Sequence, residues 1–314
     1  MRLVGEFLEL GGREVCLTGG ELLTHPEWRA VVAGCATLAG ASRLKLQTNA
    51  TLIGPEEARF LSCLGPGGPT VQVSLDGAHA HTHDRIRGGG TFARAIRGLS
   101  HLAAAGLGPC IELLFTETRQ NLGESPEVFR LAERFGVARI RWGSLVPAGR
   151  ASASRGADVP TASQYEALCE RFRRDGVFRR GCARYGSPVA VAWLGAGPRP
   201  PHACSFVENP YVTARGLVFP CPLFRSPDHA ASGAFGRPWA DVLTHGAPLW
   251  GTLRAASRRR SEATPACRAC EARPVCRAGC MGRAYAVRGK ALAPEDRCVL
   301  RRAVARLQRE GRTL

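Results

Sequence analysis

Apolar residues follow two rhythms along this chain, and the change of rhythm predicts its architecture. Short runs rich in Val, Ile and Leu at residues 14–18, 44–48, 71–75, 111–115 and 139–144 predict strands. Between them lie stretches such as 27–38 and 92–105, where apolar positions recur at intervals of three and four, the pattern of an amphipathic helix. Alternation of this kind predicts an α/β fold of βα units around a parallel sheet or open barrel, with functional groups at the C-terminal ends of the strands. It covers residues 1–150. Residues 151–201 are looser: one helix is predicted over 162–174, and a connection ending Gly195-Ala196-Gly197-Pro198-Arg199-Pro200-Pro201 predicts a linker. Residues 202–314 show little periodicity before a final helix near 296–309. That segment has too small an apolar core to order itself, so bound metal is expected to organise it.

With 314 residues and 45% hydrophobic content, the chain can bury a full core. No run is long and apolar enough for a membrane span, and Met1-Arg2-Leu3-Val4-Gly5-Glu6 opens no export signal, so a cytoplasmic protein is expected. The net charge of +17 raises nucleic acid as a partner, yet all but Lys45 and Lys290 of the 43 basic residues are Arg. That skew reads as a coding bias. The one dense run, Arg258-Arg259-Arg260, is too short to define a groove, and no nucleic-acid partner is expected.

Thirteen cysteines in a chain without an export signal argue for metal over disulfides. Cys267, Cys270, Cys276, Cys280 and Cys298 crowd into residues 267–298. The full spacing runs Cys204, eleven residues, Gly216, four residues, Cys221; then Cys267-x2-Cys270-x5-Cys276-x3-Cys280; then Cys298. A two-residue gap lets two thiolates reach one centre from a tight turn, and Gly216 supplies a bend before the next ligand. Structural zinc is the alternative, because such pairs also build tetrahedral zinc sites. His79, His81 and His83 alternate as well, but without a fourth ligand they read as loop histidines.

This cysteine pattern resembles the seven-cysteine signature of SPASM domains, and the N-terminal half resembles the radical-SAM barrel. Leu17-Thr18-Gly19-Gly20-Glu21 resembles the family segment that ends in Gly-Gly-Glu after the second strand, although Leu22 stands where Pro is usual. Gln47-Thr48-Asn49-Ala50 resembles its Thr-Asn-Gly, and Val73-Ser74-Leu75-Asp76-Gly77 its Ser-Leu-Asp-Gly. His83-Asp84-Arg85-Ile86-Arg87-Gly88 with Phe92, and Val146-Pro147-Ala148-Gly149-Arg150-Ala151, follow in the family's order. The resemblance implies a partial (β/α)6 barrel over 1–150, a connecting helix and linker over 151–201, and a small SPASM iron–sulfur domain over 202–314. It implies that Gly19, Gly20, Glu21 and Asn49 help bind S-adenosylmethionine (SAM), Glu21 at its ammonium. Ser74, Asp76, Arg85 and Arg87 would complete the site, with Ser74 and one Arg at the ribose or carboxylate. Turn capping by Ser74 and Asp76, and surface ion pairing by either Arg, are the alternatives.

The same resemblance implies two auxiliary 4Fe-4S clusters, one on Cys267, Cys270, Cys276 and Cys298, the other on Cys204, Cys221 and Cys280. Residues 205–220 lack the eighth cysteine that many relatives carry, so His202, Glu208, Cys182, water or a substrate atom would complete the second cluster. A radical-SAM protein further needs Cys-x3-Cys-x2-Cys before Gly-Gly-Glu to hold the cluster that cleaves SAM to a 5′-deoxyadenosyl radical. Cys16 is the sole cysteine there, and the motif occurs nowhere in the chain. The first strand and its cysteines are therefore expected to be cut off, and a third cluster requires an N-terminal extension. The function implied is a radical-SAM/SPASM oxidoreductase or peptide maturase, served by a separate carrier protein and a ferredoxin or flavodoxin reductant. Haem or redox-cofactor biosynthesis is one alternative, and a non-catalytic electron-transfer or scaffold protein another.

Overall fold

A computed structural model describes residues 1–149, 151, 158–197, 204, 206 and 208–311. It divides into two compact units: residues 1–145, 154–160 and 170–189 form the first, and 146–153, 161–169 and 190–314 the second.

In the first unit, β1 (Val15–Leu17), β2 (Leu44–Thr48), β3 (Thr70–Ser74), β4 (Ile111–Glu117) and β5 (Arg139–Ser144) form a parallel sheet in sequence order. Helix α1 (Arg2–Glu9) precedes β1, and the crossovers carry α2 (Trp28–Ala39), α3 (Pro55–Ser62), α4 (Ala80–Arg87), α5 (Thr91–Ala104) and α6 (Ser125–Arg134). Parallel strands need such crossovers, because a tight turn can only reverse the chain. Side chains alternate across each strand. Leu44, Leu46, Val71, Val73, Ile111, Leu113 and Phe115 are almost wholly buried. A buried side chain of this size contributes about 2 kcal/mol relative to exposure. The alternate positions carry Gln47, Gln72 and Glu112, which the register sets side by side. Strand and helix positions in this unit follow the expected segments to within one or two residues.

Helix α7 (Ala162–Arg174) runs from one unit's residues into the other's, followed by α8 (Gly176–Tyr185) and α9 (Val189–Leu194). Only part of the expected 195–201 linker falls within the described residues, as do Gly149 and Ala151 but not Arg150 from the motif over 146–151.

The second unit corrects one expectation. Where little periodicity was expected, a 25-residue helix, α10, covers Trp239–Ala263. Its buried residues Trp239, Val242, Gly246, Trp250, Leu253, Ser257 and Arg260 do recur at three and four. The stripe is disguised because Ser257 and Arg260 are polar, Gly246 makes room for the Trp250 ring, and Pro248 normally ends a helix. The unit also has an apolar core of Phe206, Phe224, Leu253 and Met281, against which Cys204 and Cys221 pack. Metal is not its sole organiser. The unit also holds a hairpin of β6 (Tyr211–Val212) and β7 (Val218–Phe219), short helical turns at Pro265–Arg268 and Arg273–Cys276, helix α11 (Met281–Arg288) and the final helix α12 (Cys298–Glu310).

Candidate functional site

Three loops leave the C-terminal ends of β1, β2 and β3. After β1, Gly19 and Gly20 are exposed, with open space where a Cβ would stand. The Glu21 carboxylate reaches the next loop, accepting from the Thr48 hydroxyl at 2.7 Å and the Asn49 amide at 2.7 Å. Asn49 in turn accepts from the Thr51 amide at 2.8 Å, fixing the turn through its own side chain. Ala50, in the place of the motif's glycine, has φ +58° and 0% exposure. Its carbonyl presses on α5 at Gly98, where a Cβ would come within 2.1 Å. After β3, Ser74 is half-buried and Asp76 is buried. Asp76 accepts from Arg87 Nε at 2.6 Å and the Thr116 amide at 2.8 Å, so these two expected site residues hold each other. Arg85 is exposed. His83 accepts the Asp76 amide at Nδ1, and burial together with the Arg87 charge keeps its pKa below the usual histidine range. The Gly77 position faces the His83 amide so closely, 2.7 Å from a Cβ, that the turn excludes any side chain. His79 and His81 stack with ring centres 5.7 Å apart.

The cysteines of the second unit sort into two groups. Cys267, Cys270, Cys276 and Cys298 line one cavity of about 480 Å³, with Pro265, Pro294, Arg301 and Arg302 in its wall. Burial pushes the Cys298 thiol up to about 11 and also raises Cys267 and Cys276, with neighbouring members of the group adding to the rise. Cys204, Cys221 and Cys280 make the other group. Burial raises Cys204 and takes Cys221 to about 11, and each feels Cys280. Gly216, with φ +74°, turns the hairpin ahead of Cys221. Among the described residues no three His, Cys, Asp or Glu groups could hold a single metal ion. Four cysteines around one cavity offer the thiolates that an iron–sulfur core takes, one to each iron.

Residues 1–144 match the family model described as the radical SAM superfamily. The mycofactocin maturase MftC of Mycobacterium ulcerans is 32% identical over 307 residues, covering 91% of this chain and 74% of that protein. The chain belongs to the radical SAM superfamily. The AdoMet-dependent heme synthase of Methanosarcina barkeri is 28% identical, covering 95% of this chain and 85% of its own length. Among solved structures, anSMEcpe with bound AdoMet and the Cp18Cys peptide superposes with TM-score 0.69 at 16% identity, over 99% of this chain and 88% of that one. Radical SAM membership carries SAM and 4Fe-4S chemistry with it, and the fold is that of the SPASM-type radical SAM enzymes.

In this radical SAM chain, sequence reasoning missed a polar row across the sheet. Thr18 Oγ1 donates to Gln47 Oε1 at 2.6 Å, Gln47 Nε2 to Gln72 Oε1 at 2.6 Å, and Gln72 Nε2 to Glu112. Arg139 and Arg141 close the row on Glu112. Burial works to raise the Glu112 pKa, but bonds from Arg141 and Gln72 and the charge of Lys45 hold the carboxyl below its usual range. The readable signal was alternation: Gln47, Gln72 and Glu112 each interrupt an apolar strand at one register position. Of the eighth-ligand candidates, His202 lies outside the described residues, Glu208 bonds Arg254 at 2.9 Å, and Cys182 sits in α8 with its thiol raised by burial to about 11. Also missed were Arg260 and Glu295, buried charges that touch the cysteine loops.

Proposed function

We propose that this chain is a radical SAM/SPASM oxidoreductase or maturase that modifies a peptide or protein and holds two auxiliary 4Fe-4S clusters. The observation that carries the reading is the sorting of its C-terminal cysteines: Cys267, Cys270, Cys276 and Cys298 around one cavity, and Cys204, Cys221 and Cys280 in mutual electrostatic reach elsewhere in the same unit. When bound, such clusters supply one-electron chemistry. The thiols raised by burial must lose their protons on binding, so loading releases acid.

The protein's own contribution at the SAM end is positioning. Glu21, anchored by Thr48 and Asn49, would hold the SAM ammonium, and bare Gly19 and Gly20 would allow close approach. Ser74 and Arg85 would meet its ribose or carboxylate, while the Asp76–Arg87 pair keeps their loop in place. A peptide substrate is favoured because MftC is named a maturase and the anSMEcpe structure contains a peptide beside AdoMet. In this reading a separate carrier protein delivers the peptide, a ferredoxin or flavodoxin supplies electrons, and the site of action is the cytoplasm; neither nucleic acid nor membrane takes part. No helix among the described residues is long and apolar enough to cross a membrane. The heme synthase relative supports a second reading, modification of a tetrapyrrole, less strongly because its identity is lower.

The test is anaerobic reconstitution with iron and sulfide, then SAM and dithionite. The 314 residues contain no Cys-x3-Cys-x2-Cys, so the given chain is expected to bind iron and sulfide without releasing 5′-deoxyadenosine. An N-terminally extended version that carries the motif is expected to release it, and Glu21→Ala in that version to weaken SAM binding at least tenfold. Zinc without sulfide would end the cluster reading, and no 5′-deoxyadenosine from either version would end the enzymatic one.

A further inference from the structure

Residues 277–279 join the two cysteine groups, running from Cys276 of one to Cys280 of the other. All three lie in the left-handed region, with φ +50° at Arg277, +66° at Ala278 and +67° at Gly279. Among the described residues, non-glycine positive φ occurs otherwise only at Ala50. A side chain pays for that conformation in steric crowding, so consecutive instances persist only where surroundings impose them.

Two buried charges impose it here. Arg260, 1% exposed on α10, donates to the Ala278 and Ala293 carbonyls and to that of Ala291 at 3.0 Å. Glu295, also 1% exposed, accepts the Cys280 amide at 2.8 Å and pairs with Arg297 at 3.1 Å and with Arg301. Its carboxyl lies so close to Gly279 that a Cβ there would stand 2.4 Å away. Arg301 lines the cavity of the four cysteines and lies 4.0 Å over the Trp193 ring. Glu295 therefore bonds one cysteine group through Cys280 and reaches the wall of the other through Arg301.

We infer that Glu295 and Arg260 are positioning residues that clamp the left-handed turn at 277–279 and so fix the separation of the two cysteine groups. The inference rests on the reading that each group holds a cluster. A buried ion pair is weak evidence for stability as such, whereas a network placed on the joint between two ligand sets constrains geometry.

Electron paramagnetic resonance of the reconstituted, dithionite-reduced full chain reads that separation through the magnetic interaction of the two clusters. Wild-type protein is expected to show a split or broadened signal. Glu295→Gln keeps an oxygen for the Cys280 amide but gives up the charge that holds Arg297 and Arg301, and is expected to lose the splitting with iron and sulfide unchanged. Adding Ala278→Gly to that variant is expected to restore splitting, because glycine takes a left-handed φ without support. Arg260→Lys keeps the charge but not the fork that reaches three carbonyls. It is expected to lose the splitting too, and it decides the matter if Glu295→Gln does not fold. The inference is overturned if either folded variant keeps the wild-type splitting, if glycine gives no rescue, or if wild-type protein with both clusters shows no interaction. Wild-type protein without iron and sulfide would instead overturn the cluster reading beneath it.

Discussion

The two units of this chain satisfy their buried backbone by different means. In the first, the sheet ladder pairs its own amides and carbonyls, and side chains such as Val71, Leu113 and Phe115 fill the space with apolar volume, each 0% exposed. In the second, secondary structure is sparser around the cysteine loops, and buried charge takes over the ladder's role. Arg260 binds three loop carbonyls, and Glu295 accepts the Cys280 amide. Loop backbone removed from water needs partners as much as strand backbone does. Where no neighbouring strand offers them, a guanidinium with five donors in a fixed fork is the side chain that can. Arg260, of the dense basic run, is among the most buried side chains of the described residues.

The contrast predicts separable responses. The largest comes from the metal ligands. Removal of iron by a chelator is expected to abolish the iron–sulfur absorption of the loaded protein and open the second unit to protease, while 1–145 stays resistant; Cys298→Ala is expected to remove only the absorption of the cluster it shares with Cys267, Cys270 and Cys276. Loss of resistance across both units would erase the distinction between them. Next is Phe115→Ala in the sheet core, expected to cost about 4 kcal/mol by cavity formation. Chemical denaturation would show the loss, and iron content in the folded protein should not change. Asp76→Ala removes the acceptor of Arg87 and of the Thr116 amide and is expected to cost about 2 kcal/mol. Because the pair orders the loop beside Ser74 and Arg85, a weaker SAM affinity in the extended protein should accompany it.

The smallest expected effect is on pH dependence. His83 has a folded pKa held below its unfolded value, so the unfolded chain takes up its proton first as pH falls. Stability from this residue is full above the ordinary histidine pKa and declines as pH drops below about 6.5. His83→Asn should flatten that part of the slope in thermal melts between pH 7 and 5. An unchanged slope would place the acid sensitivity elsewhere.

Much of the first unit was legible before any coordinates. Residues 44–48 and 139–144 are strands to the residue, because Leu44 and Leu46 in one and Ile140 and Trp142 in the other alternate with polar residues at the period of a strand. The loop motifs were legible too, since turns need particular residues: Ala50 and Gly77 sit where left-handed backbone or close approach dictates a small one. What those side chains do there was not. Asp76 and Arg87, expected at the SAM site with turn capping and ion pairing as the alternatives, are bonded to each other, a pairing that depends on a helix folding back over the strand end. Helix α10 escaped notice because periodicity counts Ser257 and Arg260 as polar, although both are buried.

Spacing alone announced the cysteines as ligands, because ligand spacing is local and local geometry is written in sequence. The grouping of Cys298 with Cys267, Cys270 and Cys276 around a cavity, and the meeting of Cys204 with Cys280, could be shown only by the folded chain. The same holds for Glu295 and Arg260. A buried charge is identical in sequence to a solvated one, and its partners, 15 residues away for Cys280 and 18 for Ala278, come within reach only when the turn between the cysteine groups closes.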